Sequence, residues 1–476
     1  MNIQIAVVIA FLLMLLVIGL LASRSIQDEE DWMIAGKTLG VLPLTGTYFA
    51  TIVSSVSVVG YLGYYYEIGW GGWWNWAGTA VTTLICGAWF AKKIRTFGKV
   101  TLSDFLEDRY GPKHALIGAI FISIAMIFFV SAQLVGSSAV LSHITGLNRN
   151  VSILILAILF MIFTATGGMK AVAWTDTFCA LIIILGIYAM LPKSLEMVGG
   201  IKQLHQTLYK TNPSALDPFA GGEMPLGLII SWILTWGIGN FGAPQFITRF
   251  NSAKDVKSAE QSQAYVGVLL LISYIPLMLI ALSAMVAIPG IKGGSDNIAP
   301  TIIDTLLSPG FAGFVMAGVL AASISTADSV LLLGSTTFVN DIYAKVINTG
   351  ADSKKYLMIS RISTLLIAII AVLIAISSNS TIMWIQSNAI GFMGSMMSVV
   401  VLGGFAWKRA NSQGAAAAMI TGFLTATIWY ILDKPFNWFP ILPSIFTSLI
   451  ALIVVSLLTP EPSKDIVNIF FAESEF

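Results

Sequence analysis

Long apolar runs alternate with short polar connectors along the whole chain. Thirteen runs are long enough to cross a bilayer as helices: approximately 3–22, 43–66, 73–94, 115–142, 149–168, 171–191, 225–248, 265–289, 310–340, 356–376, 380–407, 414–432 and 438–459. Within hydrocarbon the backbone must satisfy its own N–H and C=O groups, which makes helices the expected form. The pattern predicts an all-α polytopic membrane protein whose two ends lie on opposite sides of the membrane.

Two runs depart from the plain apolar pattern. The stretch "TYFATIVSSVSVVGYLGYYY" within 43–66 is rich in hydroxyls and β-branched residues, and "SWILTWGIGNFGAPQFITRF" within 225–248 carries three glycines and Pro244. Such residues free backbone groups, which are tolerable at membrane depth only against protein or a water-filled cavity. These are the second and seventh spans, five apart. Interrupted helices at matching places in two five-helix halves point to a midplane binding site in an inverted-repeat transporter. The plain alternative is two ordinary kinked helices.

A third irregularity is "AASISTADS", 321–329, inside the ninth run. Ala322, Ser325, Thr326 and Ser329 fall at i, i+3, i+4 and i+7, one stripe of a helix. Hydroxyls at one level, with carbonyls from a broken helix opposite, would make an oxygen-lined site for a hard monovalent cation. The competing reading is that the hydroxyls bond back to their own helix. That reading leaves Asp328 unexplained, since a carboxylate at membrane depth costs roughly 2.5–3.5 kcal/mol even on insertion scales. Asp176, in "AVAWTDTFCALIIIL", is a second carboxylate, read either as an ion ligand or as a cap at the start of the sixth span.

Composition agrees with the pattern: 57% of the 476 residues are hydrophobic, 10% are charged, and mean hydropathy is +0.85. A net charge of +1 gives no reason to expect a nucleic-acid partner. Placing the N-terminus outside puts nineteen of the 25 lysines and arginines on the cytoplasmic side, which favours N-out/C-in. Cys86 and Cys179 both lie in apolar runs, so no disulfide framework is expected. The connectors 192–224 and 290–309 are long enough to form lid helices outside, or are solvated connectors.

Five stretches, in order, resemble the sodium/solute symporter family, which includes bacterial proline, pantothenate and sialic acid carriers and the sodium–glucose carriers. They are "WMIAGKTLG" (32–40), "FTATGGMKAVAWTDTF" (163–178), "GAPQFITRFNSAKD" (242–255), "AASISTADSVLL" (321–332) with "NDIY" (340–343), and "FAWKRANSQGAAAAMITG" (405–422). Small departures fall at Phe163, Cys179 and Ala243. The resemblance implies the leucine-transporter fold, a 5+5 inverted repeat. It would run over 43–191 and 225–407, with one extra helix before it (3–22) and two after (414–459). It further implies a main sodium site made by the carbonyls of Ala50, Val53 and Ala322 and the hydroxyls of Ser325 and Thr326. A second site would use Asp176, Ser325, Asp328 and Ser329. Some family members that use this second site have serine where this chain has Asp328, so the resemblance leaves the ion count open.

A solute pocket between the broken helices has Ser54, Ser55, Ser57, Gln133, Trp236, Asn240, Gln386 and Asn388 as polar or stacking candidates, with Asn75 from "WGGWWNW". The region lacks Arg and Lys, which argues against the arginine-anchored sialic acid carriers. The reading is sodium-driven uptake of a small amino acid, monocarboxylate or pantothenate-like compound across the cell membrane by alternating access. A sugar or sialic acid cargo, a proton-coupled carrier and a membrane sensor of the same fold are the alternatives. His114, His143 and His205 lie in loops or at span ends, so no enzyme is expected. Oligomeric state is not set by these features.

Overall fold

Helix ends follow local chemistry. Thr101 and Asp104 cap α7 (Leu102–Tyr110) reciprocally through side chain and backbone. Pro112 opens α8 (Pro112–Thr145), and Gly146, in the left-handed region, closes it. The computed structural model describes residues 3–23, 29–83, 87–99, 101–166, 168–291, 294–347 and 353–471. The sequence features at Arg24, Cys86, Gly167 and Lys292 lie outside these residues.

The described chain is helical. It begins with α1 (Ile3–Ser23), α2 (Glu29–Ile34), α3 (Val41–Ile52), α4 (Leu62–Ile68), α5 (Trp74–Val81) and α6 (Gly87–Phe97). After α7 and α8 come α9 (Arg149–Thr166), α10 (Met169–Met197), α11 (Gly200–Thr211), α12 (Leu226–Trp236), α13 (Pro244–Asn251) and α14 (Val256–Ala287). Then follow α15 (Ile298–Leu306), α16 (Pro309–Thr337), α17 (Ser353–Ser377), α18 (Ile382–Ala406), α19 (Ser412–Ile431), α20 (Ile441–Leu458) and α21 (Lys464–Phe471). One short backbone bridge joins Leu39 to Ala253, through Leu39 N to Ser252 O at 3.0 Å and Lys254 N to Leu39 O at 2.9 Å.

Among the described residues, nine helices are long and apolar enough to span, and two bent pairs bring the number to eleven. Two of the thirteen apolar runs fall short of this measure. Run 149–168 forms α9, whose apolar part is short, and run 73–94 divides into α5 and α6 around residues outside the description. Outward-facing leucines, isoleucines and phenylalanines recur along the peripheral helices, among them Leu181, Leu185, Leu424, Ile428, Phe446 and Ile450. That belt is what a bilayer-facing surface requires.

The centre is α16, buried over almost its whole length and packed on α8, α10 and α1. Its Gly- and Ala-rich first half allows neighbours this close an approach. The broken pair α3/α4 packs on α10 and α14, while α18 lies against the second break and α8. The connector 290–309 contributes α15, which seats on α4, α8 and α16.

Candidate functional site

Helix α3 stops because Val53 adopts φ −95°, ψ 58°, outside the helical region. The chain resumes as a π-helical turn, Val56–Tyr61, and the two segments are bent by 45°. A break strips the last carbonyls of their i+4 amides. Ser55 N donates instead to Ser323 Oγ on α16 at 3.2 Å, and Ile52 O is recovered by Ser57 Oγ at 2.7 Å. Ser55 Oγ donates to Gln133 Oε1 at 2.9 Å while Gln133 Nε2 donates to Ser54 Oγ at 3.3 Å. Ser57 Oγ also pairs with Tyr274 OH at 2.6 Å. The break is therefore pinned to three neighbouring helices. Ser54, Ser55, Ser57 and Gln133, candidates for solute contact, are engaged in holding it.

Across from the break, Ser325 Oγ and Thr326 Oγ1 are buried without a hydrogen-bond partner among the described residues. Their neighbours behave differently. Ser329 donates back to Ser325 O at 2.7 Å and Ser323 to Val319 O at 2.9 Å. Buried hydroxyls are normally satisfied, which sets these two apart from their neighbours on α16. Ala50, Val53 and Ala322, whose carbonyls complete the expected oxygen set, are all fully buried on the same two elements.

A polar cluster lies beside it. Asp176 Oδ2 accepts from Thr47 Oγ1 at 2.7 Å and sits 3.8 Å from the Arg249 guanidinium, while Asp176 Oδ1 has no partner among the described residues. Ser325 faces this carboxylate, and Asp328 lies beside Asp176 and Thr164. Ser329 accepts from Arg249 Nη2 at 3.2 Å. Gly46 lets α3 come this close to α10: a Cβ there would lie 2.6 Å from Thr177 Cα. Thr47, Ser323 and Arg249 carry no assigned role in the sequence reading. Arg249 stands inside "GAPQFITRF" but there looks like a basic residue ending a span.

The second break follows Trp236. Gly237 takes φ −90°, ψ −90°, Ile238–Gly242 wind tightly, and α13 restarts at Pro244 with a 50° bend. Gly242 N donates to Ser398 Oγ at 3.1 Å, and a Cβ on Gly242 would meet Met397 Cβ at 2.8 Å, so only glycine permits this approach to α18.

Between the breaks lies a small cavity of about 10 Å³. Ile52, Val56, Phe129, Phe246, Val330 and Ile390 form its apolar wall, and Thr51, Asn240, Gln245, Thr326 and Gln386 its polar one. Among the described residues no charged side chain lines it. Asn240 Oδ1, Gln245 Oε1, Gln386 Oε1 and Trp236 Nε1 are buried without hydrogen-bond partners among the described residues. Of the lining rings, Trp236 lies with its centroid 5.8 Å from that of Tyr61, which in turn is 5.2 Å from Tyr274. Phe246 lies 5.0 Å from Tyr48, which is 5.2 Å from Phe250. Trp236, Asn240 and Gln386 thus meet in the cavity. Asn75 sits elsewhere, on Tyr65 OH at 3.4 Å, and Asn388 lines a separate apolar cavity of about 540 Å³ with Phe128, Phe392 and Tyr430.

Two broken helices meeting around a small cavity are the arrangement expected of a secondary transporter. The sequence model of the sodium:solute symporter family matches residues 32–422, and the chain belongs to that family. It is 28% identical to the osmoregulated proline transporter OpuE of Bacillus subtilis (strain 168), over 99% of this chain and 98% of that protein. It is also 28% identical to the sodium/proline symporter of Haemophilus influenzae (strain ATCC 51907 / DSM 11121 / KW20 / Rd), over 96% and 94%. Among solved structures, a substrate-bound, outward-open, Na+-coupled sialic acid symporter superposes with a TM-score of 0.81 at 20% identity, covering 97% of this chain and 98% of that one. The protein is a multi-pass transporter of the cell membrane that couples a solute to sodium, not an enzyme.

Proposed function

We propose that the protein takes up proline, or a small amino acid of similar shape, together with sodium. The observation that carries the sodium assignment is the pair of buried hydroxyls on Ser325 and Thr326, without partners among the described residues, on the helix that meets the break in α3 through Ser323. With the carbonyls of Ala50, Val53 and Ala322 they form the main sodium site. Hard cations take several neutral oxygens, and this set supplies them without a dominating charge. Asp176, Ser325, Asp328 and Ser329 form a second site.

The cavity supports the cargo. Its partnerless acceptors on Asn240, Gln245 and Gln386 suit an ammonium group, the Trp236 N–H and freed backbone amides suit a carboxylate, and the wall of Ile52, Val56 and Phe129 suits a compact apolar body. A lining without charged groups fits a zwitterion of zero net charge better than sialic acid. The proline transporters among the relatives point the same way.

The chain crosses the membrane thirteen times, N-out and C-in, with 43–191 and 225–407 as inverted halves. Sodium ties α3 to α16 with the outer path open, solute completes the cavity, and the aromatic pairs Tyr61–Trp236 and Tyr48–Phe246 part in turn. One sodium crossing a tenfold gradient and about 100 mV releases roughly 1.4 + 2.3 kcal/mol, enough for about 500-fold accumulation of a neutral solute. The test is uptake of radiolabelled proline by proteoliposomes. An inward sodium gradient drives accumulation, and an equal potassium gradient does not. Uptake that follows a proton gradient and ignores sodium sinks the assignment.

A further inference from the structure

We propose that the guanidinium of Arg249 is a tethered cation that balances Asp176 when the carrier is empty, so that the sodium-free protein can return across the membrane. The proposal rests on the symport reading above and concerns the half of the cycle in which nothing is bound.

Arg249 is 1% exposed and touches four elements. Its Nε donates to the carbonyl and hydroxyl of Thr47 on α3, at 3.3 and 3.2 Å. Nη1 donates to Gln245 O within α13 at 2.9 Å, and Nη2 to Ser329 Oγ on α16 at 3.2 Å. The same Nη2 lies 3.8 Å from Asp176 Oδ2 on α10. One side chain thus joins one segment of each broken helix to two of the helices they pack against.

Asp176 divides its two oxygens. Oδ2 belongs to Thr47 and Arg249, while Oδ1 is buried and unpartnered, with Ser325 facing the same carboxylate. The carboxylate has one side on a fixed cation and another open to a mobile one. A fully buried carboxylate with no cation at all is strongly penalised. In a symport cycle the mobile ion leaves with the solute, and the return step has none. Arg249 remains, and its planar fork keeps the charge in place while donating to the backbone.

The test separates return from loading. Reconstituted full-length protein is assayed for sodium-driven net proline uptake, which requires the empty return. It is also assayed for exchange of labelled for unlabelled proline with saturating sodium on both sides, which does not. For Arg249→Gln the proposal expects net uptake to fall about tenfold or more, the scale on which one partner of a buried ion pair acts, with exchange within about threefold of the unsubstituted protein. Arg249→Lys, which keeps the charge, retains the unsubstituted ratio of net uptake to exchange. Retained exchange in Arg249→Gln guards against simple misfolding, since a misfolded carrier loses net uptake and exchange alike. Equal loss of both activities in Arg249→Gln and Arg249→Lys, or unchanged net uptake in Arg249→Gln, overturns the proposal. Absence of any sodium-driven uptake or exchange in the unsubstituted protein instead overturns the symport reading itself.

Discussion

Ser325 and Thr326 differ from nearby α16 hydroxyls in one respect: among the described residues their oxygens meet the hydrogen-bond geometry with no partner. Ser323 and Ser329 close onto their own helix carbonyls, as hydroxyls in helices usually do. The double substitution Ser325→Ala, Thr326→Ala should therefore raise the sodium concentration for half-maximal uptake by about tenfold or more, since each tenfold is about 1.4 kcal/mol of lost ligation. An unchanged half-saturation would remove these hydroxyls from the ion site. The stripe was legible in the sequence because helical spacing alone places 322, 325, 326 and 329 together. The Thr47–Asp176–Arg249 contacts were not, because they join residues far apart in the chain and depend on Gly46 admitting Thr177 at its side. Arg109 and Arg249, which charge counting places among cytoplasmic loop residues, are both buried in the structure.

At the scale of elements, the two helix breaks could be read from their glycines, proline and hydroxyls, and the structure bends there by 45° and 50°. What holds each break open could not. Gln133 and Ser398 reach across from other helices, and their roles appear only once those helices are packed. Any opening of helix α15 should depend on pH. Asp296, just before it, accepts from Ile382 N at the start of α18 at 3.1 Å. Burial lifts its pKa from 3.8 to about 6, against the pull of that amide and Arg149, with Glu67 adding to the rise. Opening would return the carboxyl to water and toward its ordinary value. The closed form binds the proton more tightly, so this contribution to closure is fully present below about pH 4 and lost as pH rises through about 6. Hydrogen exchange of 295–306, corrected for intrinsic rates, should become faster between about pH 5 and 7, and Asp296→Asn should remove that dependence. A profile unaltered by the substitution would rule out Asp296 as the sensor.

For the whole molecule, hydropathy alone announced a polytopic helical protein, and five motifs in order announced its family. The number of spans was less legible, because apolarity does not tell a continuous helix from one that bends partway, as at the two breaks. The cavity between the breaks, at about 10 Å³, is too small for solute. Sodium and solute must each stabilise a more open arrangement, and coupling is the free energy by which each favours the other.

That coupling is measured most directly by titrating purified protein with proline in sodium chloride and in choline chloride, then with sodium at fixed proline. The account predicts that sodium tightens proline binding and that proline tightens sodium binding by the same factor. Proline binding of equal strength in both salts would contradict it.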